Sequence, residues 1–482
     1  MRKFKLWYPL LAVLMALALA ALACGGGSQA DEATATKAPT KTPQAEAQAT
    51  DTAEPEATSA PKPTKTPQAT TSGEIEIRNS YSYIDNFDYV HVVGELFNGT
   101  DEAITNVELA VQITDSSGNS ILTDSDGNPT DSVATTPHLF TTGPGESTTF
   151  DYYASVDNAE PSEYHVEVIN FETGEVNRAD VEVQNAQLVF DSDGNGYLAG
   201  ELVNLGGDPA TISGIAGAAL DADGLVLAAD YTFTRANYLA PAGDESGKDR
   251  TPFIVTLDGP METAEQWSVV YDVDVTTEAD ATGVDLELGD AYFSSDGQLH
   301  VLGAVTNNGD SLLNIALVAG LYAEDGTVLD AATLSVPIYV ESGETAPFSF
   351  DYFPSINTNE DEANRVDSYT VQVDPFWTFA SSSEVVALET TNDESEDQGD
   401  GVFRFAGDVE NTSDQELSSM TVILSIYGAD GNLVATQWGG VYPEGDSFRP
   451  GDSGSFEIYV YLDPDADTEG HEFFTTVQGY VK

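Results

Sequence analysis

Hydrophobic and polar residues alternate in short runs over most of the chain after residue 73. Three of these runs place four apolar residues at every second position: Val107, Leu109, Val111 and Ile113; Ile315, Leu317, Ala319 and Leu321; Met420, Val422, Leu424 and Ile426. Such alternation is typical of a β-strand with one buried face. Turn residues separate the runs every 8–12 residues or so, without helical periodicity, so we predict an all-β sandwich fold.

One strand pattern, Gly-x-x-x-Asn, occurs four times at intervals of 103 to 106 residues. The copies are Gly94 to Asn98, Gly200 to Asn204, Gly303 to Asn307 and Gly407 to Asn411. A repeat of this length indicates one structural unit per copy. We therefore predict four tandem immunoglobulin-like β-sandwich domains, which we call the first to fourth repeats, over residues 73–183, 184–281, 282–380 and 381–482.

The glycine and asparagine of this pattern are expected to have structural roles. Glycine lets a neighbouring segment pack closely against the strand, and the inward-facing Asn side chain can bind loop backbone. The alternating strand of the second repeat offers Ser213, Ile215, Gly217 and Ala219. Since two of these positions carry no apolar side chain, we expect a thinner core there.

The repeats resemble the bacterial FxLYD-type domain, a small immunoglobulin-like module with a Gly-Glu-x-x-Asn strand and a strand that ends in Leu-Tyr-Asp. The best matches are Leu321-Tyr322 with Asp325-Gly326, and Ile426-Tyr427 with Asp430-Gly431. The first and second repeats lack the tyrosine, with Ile113-Thr114-Asp115 and Ala219-Leu220-Asp221 instead. The resemblance covers residues 74–482. It implies an extracytoplasmic module without known catalytic residues.

The N-terminus has the parts of a secretory signal: basic Arg2, Lys3 and Lys5, then an uncharged apolar run from Leu6 to Ala23. Ala21-Leu22-Ala23-Cys24-Gly25 resembles a bacterial lipobox, although that pattern prefers leucine where Ala21 stands. The resemblance implies a lipoprotein signal peptide over residues 1–23 and lipid attachment at Cys24. A plain cleaved signal and an uncleaved membrane helix are the alternatives. All three place the body of the protein outside the cytoplasm.

Residues 24–72 are rich in Thr, Pro and Ala and have hardly any bulky apolar residue. The heptad Pro39 to Ala45 recurs as Pro63 to Ala69. A segment of this composition cannot bury a core. We expect it to be a disordered linker between the lipid anchor and the repeats.

The chain has 82 acidic and 16 basic residues among its 482, a formal net charge of −66. Such a surface repels nucleic acid and favours cations and basic partners. It also keeps exposed strand edges from pairing with other chains. The single cysteine excludes an intrachain disulfide, so stability must come from packed cores.

The closest approach to a metal motif is Asp191, Asp193 and Asn195, which begin a calcium-loop pattern with oxygen ligands at alternate positions. Its twelfth position, however, is Leu202 rather than a glutamate. An Asp-Gly pair also recurs at this place before the third and fourth motif glycines, which favours a hairpin turn. Asp124 to Asn128 is a second loop of this kind. Calcium remains an open alternative at both, and no other cofactor is indicated.

Catalytic motifs are lacking. The five histidines, His91, His138, His165, His300 and His471, have no metal-type spacing. No nucleophile elbow or phosphate loop occurs, so we expect no enzyme activity.

We predict a non-catalytic cell-surface lipoprotein that displays acidic repeats for binding or spacing, with an unidentified envelope or extracellular protein or glycan as partner. The alternatives are a structural or adhesive envelope protein stiffened by Ca²⁺ and, less favoured, a transporter-associated solute-binding protein.

Overall fold

The computed structural model describes the backbone of residues 36–37 and then residues 74–85, 87–124, 126–155, 161–190, 194–277, 283–358, 360–443, 445–463 and 470–482. It is nearly all β, with 63% of residues in strands and 3% in helices. The paired strands run antiparallel in many small sheets. The prediction of an all-β chain is therefore confirmed. The first described strand, β1 (Thr36–Lys37), precedes the repeats.

The first repeat has two main sheets, with strand order β2-β3-β9 in one and β10-β4-β7 in the other, where β8 also pairs with β4. A short hairpin pairs β5 with β6. The strands are β2 (Ile75–Ile84), β3 (Tyr89–Asn98), β4 (Ala103–Asp115), β5 (Leu122–Thr123), β6 (Pro129–Thr130), β7 (Val133–Thr135), β8 (Thr141–Thr142), β9 (Ser147–Ser155) and β10 (Pro161–Gly174).

The second repeat follows the same plan, with the sheet β11-β12-β16 and a second sheet in which β13 pairs with β14, β15 and β17. The strands are β11 (Val181–Phe190), β12 (Gly196–Asn204), β13 (Ala210–Leu220), β14 (Val226–Thr232), β15 (Tyr238–Leu239), β16 (Arg250–Leu257) and β17 (Gln266–Val275). A 3₁₀ turn spans Met261–Thr263. Strand β11 crosses the predicted boundary between residues 183 and 184.

The third repeat has the sheets β18-β19-β23 and β24-β21-β22, and β1 pairs with the outer edge of β24. The strands are β18 (Val284–Phe293), β19 (Leu299–Asn307), β20 (Leu313–Asn314), β21 (Ala316–Ala323), β22 (Val328–Ser335), β23 (Thr345–Phe350), β24 (Val366–Val373) and β25 (Phe379–Ala380), which pairs with β20. Two short helices, α1 (Pro354–Thr358) and α2 (Glu360–Ala363), lie before β24.

The fourth repeat has the sheets β27-β28-β31 and β26-β32-β29-β30. The strands are β26 (Val385–Leu388), β27 (Thr390–Gly399), β28 (Val402–Glu410), β29 (Leu417–Tyr427), β30 (Leu433–Val441), β31 (Ser453–Tyr461) and β32 (Glu472–Val481). In every repeat the Gly-x-x-x-Asn strand is the middle strand of a three-stranded sheet. The predicted alternating strand belongs to the other sheet, and its apolar side chains lie in the core.

The motif asparagine has the same role in all four repeats. Asn98 is fully buried, and its Nδ2 donates to the carbonyls of Glu102 at 2.8 Å and Thr142 at 2.9 Å. Its Oδ1 accepts the N–H of Thr100 at 3.0 Å. Corresponding bonds are made by Asn204, Asn307 and Asn411. The predicted binding of loop backbone is therefore confirmed, and it satisfies polar groups that burial would otherwise leave unpaired.

The motif glycine packs against an aromatic ring of the third strand in each sheet. A Cβ at Gly94 would lie 2.7 Å from Cζ of Phe150, and one at Gly200 would lie 2.9 Å from Cζ of Phe253. Both distances are too short for carbon atoms, so only glycine fits without movement of the ring. The predicted close approach is confirmed.

The strand of the second repeat departs from its prediction. A bulge between Ile212 and Gly214 shifts the register, so Ser213 is exposed while Ile212 enters the core. The irregularity arises because an extra residue in a bulge turns the side chains that precede it to the opposite face. At Gly217, side-chain atoms of Leu198 and Val255 occupy the space that a side chain would take.

Asp330 in β22 is a fully buried carboxyl beside the start of α1. Its oxygens accept the N–H groups of Ala331 at 2.7 Å and Ile356 at 2.8 Å. Burial raises its pKa to about 7, although these bonds from backbone N–H groups act in the opposite direction. The folded chain therefore holds this proton more tightly than the unfolded chain, where an Asp pKa is about 3.9.

Asp330 should make stability fall as the pH rises. Its contribution is fully present below about pH 4 and is lost as the pH rises through the folded-state pKa near 7. We expect the free energy of unfolding to drop by up to about 4 kcal/mol from this group. Urea denaturation at several pH values should show a flatter profile for Asp330→Asn. The exposed Asp310→Asn, as control, should follow the wild type, and equal profiles for the two variants would contradict the assignment.

Candidate functional site: a cleft between the first two repeats

Successive repeats pack through the same two faces. The outward face of the three-stranded sheet of one repeat lies against the larger sheet of the next. In the first junction, between the first and second repeats, Tyr81, Tyr83 and Val93 join a buried apolar cluster with side chains that include Leu227 and Ala229. The Tyr83 hydroxyl donates to the Asp258 carbonyl at 2.8 Å.

On the opposite side of the first junction, a cluster of charged side chains connects the two repeats. The Arg178 guanidinium lies 2.8 Å from Oε2 of Glu146 in the first repeat and pairs closely with Asp272 in the second. It also donates to the Thr141 carbonyl at 3.1 Å. Burial lowers the pKa of Arg178, but the bonds and charges of Glu146 and Asp272 outweigh this effect and raise it. The guanidinium therefore stays charged at this junction.

The second junction buries Tyr197, Ala199 and Ile254 of the second repeat against Tyr322, Val328 and Ala331 of the third. Within it, the Tyr322 hydroxyl donates to Oε1 of Glu201 at 2.8 Å. Glu201 is only 2% exposed, and its other oxygen accepts from Asn185 at 3.0 Å and lies 3.6 Å from Arg250. Both carboxylate oxygens are thus satisfied, as a buried charge requires.

The third junction uses the corresponding faces. The Tyr292 hydroxyl donates to the Tyr461 carbonyl at 3.1 Å, and the Tyr480 hydroxyl donates to the Pro337 carbonyl at 3.0 Å. Tyr292 stacks on His300 with a centroid distance of 4.8 Å, as Tyr83 stacks on His91 at 4.7 Å. The junctions therefore share elements of their side-chain chemistry as well as their geometry.

The same outward face in the fourth repeat is charged. Arg404 stands where the first and third repeats have a stacked histidine, and it pairs with Glu457 and lies 3.9 Å from Glu396. Next to it, Tyr459 is 42% exposed. This face of the fourth repeat is therefore more polar than the corresponding faces that are buried at the first three junctions.

A cleft of about 850 Å³ opens at the first junction. One wall comes from β3, β4, β9, the end of β7 and the segment before β8, and it includes the carboxylate of Glu108. The other comes from β14 and the loop after β16. The walls carry the exposed rings of Phe140, Tyr153 and Tyr231, which are 65%, 63% and 46% exposed. Side chains this apolar are usually covered when they cluster, so the cleft is a candidate binding surface.

The rings in the cleft are held by their neighbours. Tyr153 stacks on His91 at 5.6 Å and meets Tyr89 edge-on at 6.0 Å. Tyr231 lies 5.5 Å from His138 and packs edge-on against Phe233 at 5.2 Å. Aromatic pairs at these distances restrict the rings. The cleft therefore presents ordered aromatic walls.

Carboxylates line the same cleft. His91 lies 3.0 Å from Asp151 and 3.5 Å from Asp85. Burial lowers the pKa of His91, but the bonds and charges of Asp151, and then of Asp85, outweigh it and raise the pKa. Burial raises the pKa of Asp230 to about 6, and the charges of Asp151 and Asp258 act in the same direction. The cleft thus has a net acidic lining, and the side chains of Asp230, Tyr153 and Tyr231 are exposed in it.

His138 forms part of the floor beside Tyr231. Its Nδ1 lies 2.9 Å from the Thr149 hydroxyl, and burial lowers its pKa to about 4. It is therefore neutral at pH 7 and does not offset the acidic groups. Lys and Arg do not occur among the described residues that line the cleft.

The residues that the sequence predicted as sites are not among the described residues that line this cleft. Cys24, Asp191 and Asp193 lie outside the described residues, while Asn195 lies in the segment just before β12. Asp124 accepts N–H groups of Asp126 at 3.0 Å and Asn128 at 2.8 Å, and so closes a turn. Among the described ranges, no group of three or more His, Cys, Asp or Glu residues is arranged to hold a metal ion. In the same ranges, no helix combines the length and apolarity needed to cross a membrane.

Comparisons with known proteins do not identify a family for this chain. No family model matches the chain, and no curated protein does either. Among solved structures it is similar to Escherichia coli alpha-2-macroglobulin activated by porcine elastase, with 10% identity and a TM-score of 0.12. That match covers 82% of this chain and 42% of the other, so this chain spans less than half the length of that protein. A likeness at this score carries no argument about fold or function.

Proposed function

We propose that the chain is a non-catalytic, lipid-anchored surface protein in which four immunoglobulin-like domains form a stiff acidic array at the cell envelope. The observation that supports this most directly is the recurring junction between repeats. Flexibly tethered domains bury little surface against one another, whereas these repeats share buried aromatic and apolar side chains at the first two contacts and hydrogen bonds from tyrosine hydroxyls to backbone carbonyls at the third. An array of this kind holds the surfaces of its domains at fixed positions relative to one another.

The charge of the chain fits the same role. A net charge of −66 keeps a long β-rich array soluble and blocks edge-to-edge pairing with other copies. It also attracts basic partners and repels anionic ones. The proposed activity is therefore display and binding.

The proposed anchor is the lipid on Cys24, with residues 25–72 as the spacer. A single acyl chain gives marginal membrane binding, while two or more hold a protein stably. The wild-type chain should therefore incorporate labelled palmitate and sediment with membranes when expressed in a bacterium that processes lipoproteins. Cys24→Ser should lose the label and appear in the soluble extracytoplasmic fraction. Ser28→Ala, close to the same site, serves as the control and should behave as wild type. A Cys24→Ser chain that keeps the label would refute the anchor.

A further inference from the structure

The cleft at the first junction has an unbalanced charge. The Asp151 carboxylate has His91 as a partner at 3.0 Å. Within the described residues, the Asp230 carboxylate accepts one hydrogen bond, from the N–H of Tyr231 at 2.7 Å. Asp258, Asp151 and Asp230 are close enough for their charges to repel. A cation inside the cleft would reduce that repulsion.

The aromatic walls narrow the type of cation. Tyr153 and Tyr231 face the same cleft with about half or more of their surfaces exposed. A ring face attracts a cation, and a planar guanidinium can stack on a ring while its N–H groups bind a carboxylate in pairs. An ammonium group is a compact, strongly hydrated charge and gains less from such walls. A bare metal ion would gain nothing from the rings, and the described residues offer it no ligand cluster.

We propose that this cleft binds an arginine side chain of a basic polypeptide segment, with the guanidinium paired to Asp230 and stacked on Tyr231 or Tyr153. The cleft is larger than one guanidinium, Phe140 also lines it, and the exposed Phe233 packs edge-on against Tyr231 beside it. A polypeptide can cover that rim with the residues that flank the arginine. The acidic surface of the whole chain would speed its approach.

This inference specifies which class of partner the displayed protein binds. It rests on the proposed function only in assuming that the cleft is open to extracellular ligands. Binding itself needs no anchor. The test therefore uses the full chain with Cys24→Ser, which lacks the proposed lipid. A failure of anchoring would appear in membrane fractionation and leave this assay unaffected.

The probe is a short peptide with capped ends whose only charged residue is a central arginine. Its binding is measured by calorimetric titration and compared with that of the same peptide carrying citrulline in place of arginine. Citrulline keeps the shape of the side chain and removes its charge. We expect saturable binding of the arginine peptide with one site per chain, and at least tenfold weaker binding of the citrulline peptide. A lysine peptide should bind more weakly than the arginine peptide, because it loses the stacking and the paired bonds.

Two variants distinguish binding in the cleft from non-specific attraction of the peptide to an acidic surface. Asp230→Asn should weaken the arginine peptide at least tenfold, while Asp310→Asn, which removes an equal charge from an exposed loop of the third repeat, should not change its affinity. Tyr231→Leu should also weaken binding while leaving the net charge unchanged. The melting temperature of each variant checks that it is folded. Equal affinities of the two asparagine variants, or equal binding of the arginine and citrulline peptides, would overturn the proposal.

Discussion

Replacing Ala199 by glutamate should separate the second and third repeats. Ala199 is fully buried at the second junction, in one cluster with Tyr322, Val328 and Ala331. A glutamate here would bury a charge without a partner, beside Glu201, which is already buried. An unpaired buried charge costs about 3–5 kcal/mol, which is enough to open a junction between domains. Small-angle scattering should then show a broader distribution of lengths than for the wild type.

The chain contains its own control for this change. Ala406 holds the same place, one residue before the motif glycine, on the outward face of the fourth repeat. It is only partly buried, and its neighbours on that face include Arg404 and exposed Tyr459. Ala406→Glu should therefore change stability and length little. If the two variants give the same scattering curve and melting profile, the second junction does not hold the array together.

The junctions and the cleft could not be predicted from the alternation of residues. Core strands such as Val107 to Ile113 were predicted because burial of one sheet face leaves a period of two in the sequence. The motif glycine and asparagine were predicted because four internal copies repeat them. A sheet with both faces covered has no such signature, since its outward residues, among them Tyr83 and Ala199, contact a neighbour that local sequence does not specify.

A signal for the junctions was nevertheless present. The residue three places before the motif glycine is His91, Tyr197, His300 or Arg404. This position carries an aromatic ring in the first three repeats and a charged side chain in the fourth. The difference indicates that the outward face is covered by the next repeat in the first three and is polar in the fourth. The bulge at Ser213 leaves a weaker signal, because it appears only as a change in the phase of the alternation between Ile212 and Ile215. His138 and Asp230 are 92 residues apart in sequence, so only the packing of two repeats brings them to one cleft.

Replacing Gly303 by alanine should destabilise the third repeat more than the same change at any other motif glycine. The new Cβ would lie 2.4 Å from Cζ of Phe348 and 2.6 Å from the carbonyl oxygen of Glu287. Phe348 is only 1% exposed and cannot move into solvent, and the carbonyl belongs to the paired strand. Overpacking of a well-filled core costs up to about 3 kcal/mol, which exceeds the gain of about 0.5–1 kcal/mol from replacing glycine in a strand.

Gly407→Ala tests whether the packing, rather than the loss of a glycine, causes the effect. Its nearest contact would be Oδ1 of Asp393 at 2.7 Å, at the end of an exposed side chain that can rotate away, and Phe456 lies farther off at 3.0 Å. We therefore expect a loss of about 1 kcal/mol or less there. Amide hydrogen exchange resolves the two sites within one chain. Gly303→Ala should speed exchange in β19 and β23 while β28 stays protected, because the strain falls on the ring and the carbonyl that enclose Gly303. Equal loss of protection in the two variants would mean that the strand backbone, and not the buried Phe348, sets the requirement for glycine.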